Sequence, residues 1–220
     1  MRRTRGPLSP AIVIAILTMP ILVVGQTAER SRTQGLKETD KFVKAGGNTT
    51  RAITDAKMQM QKTLTAYNTL VTQPSKDMKG DYKRLLKAMD GMNEKVADAQ
   101  TKIDAMQKTG DTYFSGRAET IKNIQDPALQ GQAQKRLSTN QQEFASVLQS
   151  MREAGEALEP FRKQLADHIT YLGSDLTPSA MTSLQPEAEK LNAHGADVFA
   201  KTEQALAKAD GYFQGLRAES

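Results

Sequence analysis

The 220-residue chain contains no cysteine, no tryptophan and only two histidines. The missing cysteines exclude disulfides, thiolate metal sites, a cysteine nucleophile and a lipid-bearing cysteine behind a signal peptide. Two histidines supply little for metal or general-base chemistry. Aromatic residues make up 5% of the chain, low for a compact globule, while 38% hydrophobic residues is too many for a disordered one. Charge of one sign is also scarce. Of the net +5, three charges are Arg2, Arg3 and Arg5, in a stretch (1–25) without an acid; the other 27 of the 30 basic residues face 25 acidic ones. These alternate in sign along the chain. A nucleic-acid footprint needs clustered lysine and arginine, so the charges read as a solvated helix surface and no nucleic-acid partner is expected.

Long apolar runs are absent apart from one. Residues 10–25 carry no charge and follow the three arginines, the pattern of a secretory signal. Val23 and Gly25 are small enough for the positions before a cut that would leave Gln26 as the new terminus. The competing reading is an uncleaved anchor, because Leu8 to Gly25 is just long enough to cross about 30 Å of hydrocarbon. Either way the arginines stay in the cytoplasm and the remainder is expected in the periplasm, free or held to the inner membrane by at most one span.

What the rest does have is heptads. Met78, Tyr82, Leu85, Met89, Met92, Val96, Ala99, Ile103, Met106, Gly110 and Tyr113 alternate 4-3 without a slip, after which the stripe shifts by one to Phe114, Ala118, Ile121 and Ile124, with Gly110 and Gly116 weakening the helix there. A second run covers Ala133, Leu137, Asn140, Phe144, Val147, Met151, Ala154, Leu158, Phe161, Leu165, His168 and Leu172, and its phase holds across Pro160, which predicts one kinked helix. Pro160 either follows the curvature of the core or bends a 161–185 hairpin away from the bundle axis. A third run covers Met181, Leu184, Ala188, Leu191, Gly195, Val198, Thr202, Ala205, Ala209, Tyr212 and Leu216. The weakest run is Ile53, Ala56, Met60, Thr63, Tyr67 and Leu70; Gly46-Gly47-Asn48 breaks it upstream, leaving Phe42 and Val43 on a separate segment. Pro74 closes that helix, Asp126-Pro127 and Thr177-Pro178 open two others, and Gly173 stands where a left-handed cap belongs.

The fold expected is therefore all-α: an elongated antiparallel bundle of three to four long helices with coiled-coil-like seams, behind an N-terminal apolar signal or anchor helix. Its divisions are 1–25 for the signal or anchor, 26–48 for a flexible or weakly helical lead-in, and 49–220 for the bundle. Sustained period-two alternation, which would announce strands, is missing.

Candidates for chemistry are few. His168 sits on a seam and reads as a core histidine with one satisfied nitrogen, against a ligand or pH-sensing role; His194 adjoins Gly195 in a loosely packed stretch. Neither has a carboxylate three residues before it, as bundle di-metal sites require. Asn140 is either a register device or an edge residue. Six methionines fall on seams and read as core filling rather than as an adaptable binding groove. Asn48-Thr49-Thr50 matches a glycosylation acceptor, a common chance triplet. No phosphate loop, nucleophile elbow or triad is present, so no catalytic, cofactor or metal residue is assigned.

Residues 137–185 resemble the domain of unknown function 2959 family, uncharacterised bacterial envelope proteins. The resemblance rests on Leu137, Phe144, Met151-Arg152, Ala154, Leu158-Glu159-Pro160, Asp167, Ile169, Tyr171-Leu172, Leu176, Ala180 and Leu184-Gln185. The chain departs from the family's pattern at Gly173-Ser174-Asp175, where a basic-His-Asn turn is common, at His168, where the pattern has glutamine, and in lacking a cysteine to acylate. The resemblance implies an all-helical exported protein and no particular activity. The expectation is a non-enzymatic scaffold or interaction module of the envelope, without cofactor, whose partners are other envelope proteins or further copies of itself. The alternative is a periplasmic ligand-binding or sensory bundle. A cavity wider than the seam would favour the binder, and a fully packed seam with an exposed apolar strip the scaffold.

Overall fold

The structure, a computed structural model, describes residues 22–218, with side chains from residue 35 onward. The proposed signal or anchor segment before residue 22 lies outside the described residues. Four helices follow one another: α1 (Leu22–Thr72), α2 (Met78–Lys122), α3 (Pro127–Ser174) and α4 (Pro178–Ala218). Among the described residues there is no strand. At 41–51 residues, the helices are about 60–75 Å long at 1.5 Å per residue.

Connections of three to five residues force neighbours to run antiparallel. Their chemistry is the expected punctuation. Asp126 accepts from the amides of Ala128 (2.8 Å) and Leu129 (3.2 Å), with Pro127 at the first helical position. Thr177 Oγ1 accepts from the Ala180 amide at 3.3 Å. Asp77, not anticipated from the sequence, accepts from the Gly80 amide at 2.9 Å and caps α2. The backbones of α1 and α2 make the most extensive contact and those of α2 and α3 the least; α1 and α3 lie across one diagonal, α2 and α4 across the other.

The register of α1 against α2 is held by two fully buried threonines. Thr49 Oγ1 donates to the carbonyl of Lys102 (2.9 Å), and Thr63 Oγ1 lies 2.9 Å from that of Ala88, each also within reach of its own helix's preceding turn. The two threonines are fourteen residues apart and so are their partners, two heptads in each direction. Asn140, the sequence's candidate for that duty, is only half-buried.

Two hydrophobic clusters fill the bundle. The one nearer the chain termini gathers six of the eleven aromatic residues: Phe42 lies 4.9–6.1 Å, centroid to centroid, from Tyr113, Phe114, Phe144, Tyr212 and Phe213. The other holds Tyr67, Leu70, Leu85, Met92, Phe161, Leu165, Leu172, Met181 and Leu191.

Several expectations are corrected. Helix α1 is unbroken through Gly46-Gly47-Asn48 and carries Phe42 and Val43 into the core. Gly46 is there because the Phe213 ring lies directly on the α1 backbone, where any Cβ would collide with it. Gly110 serves Phe144 in the same way, a Cβ there coming within 2.6 Å of the ring, so it marks close packing and not a weak point. Gly173 is helical rather than a left-handed cap: α3 runs on to Ser174, no described glycine has positive φ, and a Cβ at 173 would meet the Tyr82 hydroxyl at 2.5 Å. That hydroxyl donates to the Ile169 carbonyl. The stretch around Gly195 is tightly packed, under Leu64 and Phe161. In α4 the seam slips by one, so that Phe213 is buried and Tyr212 half-buried. Helix α3 is continuous through Pro160, as expected, but the 161–185 hairpin does not leave the bundle: Leu165, Leu172, Met181 and Leu184 are all in its core. Pro160 faces solvent, where water can serve the carbonyl its missing amide leaves behind.

Candidate functional site

The seam positions of α2 are not equivalent. Leu85, Met92, Ala99, Met106 and Tyr113, seven apart, are buried; of the alternate set, Tyr82, Met89, Val96 and Ile103 are half-buried and only Gly110, under Phe144, is buried. The second set lies toward the least extensive interface in the bundle, that of α2 with α3, and stays partly open.

Between the two clusters each helix contributes an alanine to the same stretch of the axis: Ala56 from α1, Ala99 from α2, Ala154 from α3 and Ala205 from α4. Four small side chains on facing seams cannot meet across the axis, and a cavity of about 90 Å³ remains. Ile53, Met60, Val96, Ile103, Met151, Leu158 and Val198 complete an apolar wall. The polar lining divides between two sides. Gln100 and Gly155, both exposed, mark where the cavity reaches the surface between α2 and α3. On the α1–α4 side stand Thr202, whose hydroxyl donates to the Val198 carbonyl, and Lys57, the one charged lining residue. Lys57 Nζ donates to Glu203 Oε1 at 2.8 Å; the lysine side chain is 25% exposed and the glutamate 64%. Chemically this is a slender apolar hole with a cation at one rim. Nothing in the sequence singles out Lys57, and the four alanines are legible only as separate seam residues.

A second feature crosses the α1–α3 diagonal. Tyr67, fully buried, holds its Oη 2.7 Å from Nδ1 of buried His168. Burial raises the phenol's pKa, with the negative charge of Glu187 adding to it, so the hydroxyl keeps its proton. Burial lowers the imidazole's pKa, opposed by Glu187 and Asp167. With both groups neutral, the pair shares one hydrogen bond whose donor is set by the imidazole tautomer. This is the satisfied core histidine of the sequence reading. His194 is exposed, its Nδ1 2.9 Å from Gln164 Oε1. The two histidines are not brought together, and the described residues hold no cluster of three or more histidine or carboxylate side chains placed to share a metal. Met92, Met106, Met151 and Met181 are buried and Met78 and Met89 half-buried, which makes them core filling. Thr49 of the glycosylation triplet is buried in its register bond.

These features define a four-helix bundle protein with a breach in the middle of its core. The chain belongs to DUF2959, a family of proteins of unknown function, whose model matches residues 28–216. No curated protein and no solved structure matches it.

Proposed function

We propose that this protein is a non-enzymatic helical bundle of the bacterial envelope, exported across the inner membrane, that holds a slender apolar ligand in the middle of its core. The ligand reading is carried by one observation, the cavity lined by the four alanines. An empty apolar hole costs the fold dispersion contacts on every wall, and one leucine in place of an alanine would fill much of it. At about 90 Å³ it is smaller than the ~150 Å³ cavity that takes a benzene ring, so it suits a single alkyl chain whose remainder runs out between α2 and α3. The non-enzymatic part rests on the sequence, which offers no phosphate loop, nucleophile elbow or triad. Export rests on Arg2, Arg3, Arg5 and the uncharged stretch behind them; among the described residues no helix is long and apolar enough to cross a membrane. A phosphatase active only outside the cytoplasm, fused after Ser220, should be active, and an inactive fusion expressed at normal level refutes the export.

For the ligand, the test is photolabelling of the full chain in cell membranes with a decanol carrying a diazirine at its far end. Adducts should fall on Met60, Ile103, Met151 and Leu158 and disappear in Ala154→Leu. Labelling spread over the helix surfaces and unchanged in that variant refutes the reading. A second reading, the scaffold that engages other envelope proteins or copies of itself, is favoured by Tyr171, 41% exposed beside half-buried Leu176 at the end opposite the chain termini. Among the described residues the other large exposed apolar side chains, Leu36, Met58, Leu86 and Leu129, are scattered along the helices and form no strip.

A further inference from the structure

We infer that the ligand of the mid-bundle cavity is a single-chain anionic amphiphile, a fatty acid in its chemistry, with its carboxylate held by Lys57 in place of Glu203; this rests on the cavity being a ligand site. Three observations converge on the headgroup. Lys57 is the one charged side chain in the wall, and its stem runs along the apolar lining while its ammonium reaches the rim. That ammonium already carries a carboxylate oxygen at 2.8 Å, so the site displays the contact a ligand carboxylate would make. The partner that provides it is the more dispensable half of the pair: Glu203 is 64% exposed against 25% for Lys57. Released, Glu203 returns to water at small loss, because a pair with one well-solvated member is weak. The half-buried ammonium meanwhile gains an equivalent oxygen whose alkyl chain closes the hole behind it. Glu203 is thus the stand-in that keeps Lys57 paired while the cavity is empty.

The tail follows from the same lining. The α1–α4 side supplies Lys57 and Thr202, the centre only apolar groups, and the α2–α3 side an exit flanked by Gln100 and Gly155. A Cβ at Gly155 would meet nothing within 4 Å, so the exit is not obstructed there. Half-buried Met89, Val96 and Ile103 line that side over about 20 Å of helix, enough apolar surface to cover a chain that outruns the cavity. A neutral or cationic headgroup gains nothing from this arrangement, and a two-chain lipid exceeds its width.

The experiment compares two probes of equal length, decanoate and decanol, as competitors of the diazirine decanol on the full chain in membranes, with the parent, Lys57→Gln and Glu203→Gln. Both substitutions keep a polar side chain of similar length at the rim, and the decanol competition in each variant reports whether the cavity itself is intact. Decanoate should compete at lower concentration than decanol in the parent. Glu203→Gln should improve decanoate severalfold, since the competing carboxylate is gone. Lys57→Gln should weaken decanoate about tenfold, the value of a charged hydrogen bond. Decanol should move less than twofold in either variant. If decanol competes at the cavity residues but decanoate is indifferent to both substitutions, the headgroup assignment is wrong and the cavity reading stands. If neither compound competes, the cavity is not a ligand site and both fall.

Discussion

Phe42 is the residue on which the cluster nearer the chain termini turns, and Phe42→Ala is the sharpest test of how the fold is held. The ring is completely buried and touches five other rings contributed by α2, α3 and α4. Truncating a core phenylalanine to alanine costs about 3–5 kcal/mol, transfer and cavity together. The aromatic contacts add ~0.5–1.5 kcal/mol per well-placed pair beyond burial, although they share one ring and do not sum. We expect the upper end of the range, about 4–5 kcal/mol, against a total of ~5–15 kcal/mol for an ordinary domain. For a chain of this size that is a fall in Tm of roughly 10–20 °C. Urea unfolding followed by helical circular dichroism measures it, with Phe199→Ala, a half-buried ring at the margin of the other cluster, as the comparison. Phe199→Ala should cost less than half as much. If Phe42→Ala costs under about 1 kcal/mol with the denaturant slope unchanged, the first half of α1 is not part of the cooperative unit, and a lead-in ending near residue 48 describes the molecule better than a continuous helix.

Two glycine substitutions should move stability in opposite directions. Gly46→Ala drives a methyl into the Phe213 ring and should destabilise despite alanine's better helix propensity, whereas Gly211→Ala, helical and facing open space, should stabilise by about 0.5–1 kcal/mol in the same urea assay. Met92→Asp, at a fully buried position, should abolish cooperative melting, while Val96→Asp, half-buried at the α2–α3 opening, should leave a folded protein with lowered Tm; equal effects would refute the division of the α2 seam. Stability should also depend on pH through His168. Its folded pKa is depressed below the ordinary 6.5 by burial, so on acidification the unfolded chain takes up the proton first. The contribution is complete above pH 6.5, shrinks as pH falls toward the folded pKa, and is gone below it. His168→Gln should remove that slope between pH 5 and 7, and an unchanged slope would assign it to other groups.

The seams were legible because a heptad is written in the order of the residues themselves: Leu85, Met92 and Met106 announce a buried line without knowledge of any partner. The caps at Asp126 and Thr177 were legible for the same reason, since their partners lie two or three residues away. What could not be read is what stands opposite. Gly46-Gly47 carries a visible propensity penalty of about 1 kcal/mol per glycine, which reads as a break. The compensation is Phe213, 167 residues downstream, whose ring occupies the space a side chain would take. The same holds for Gly110 with Phe144 and Gly173 with Tyr82. In each case the sequence displays the cost and hides the contact that offsets it. Tyr67 and His168 were both visible as seam residues, but 101 positions separate them, and only the diagonal packing of α1 and α3 makes them a pair.

The cavity illustrates the converse case, in which the sequence displays nothing unusual at all. Ala56, Ala99, Ala154 and Ala205 are each an acceptable seam residue, since alanine is the best helix former and small residues are common where helices approach closely. Their significance arises only from the packing that brings them to one cavity. The two threonine bonds between α1 and α2 allow no slip of a residue, because a slip would leave two buried hydroxyls facing the wrong carbonyls. Above the alanines Met60, Phe161 and Leu191 fill the axis, and below them Phe42 and its ring neighbours do. Helices pinned at both ends by large side chains cannot collapse inward over a short stretch of small ones, because interiors are stiff and relax only partly around a deletion. The breach is therefore a product of the two clusters as much as of the alanines. Trimming the alanines further, by Ala205→Gly for example, should widen the hole rather than close it, whereas removing a pillar, as in Phe161→Ala, should let the wall sag and narrow it. A cavity built this way is set in part from a distance, by Phe42 and Phe161, which do not line it.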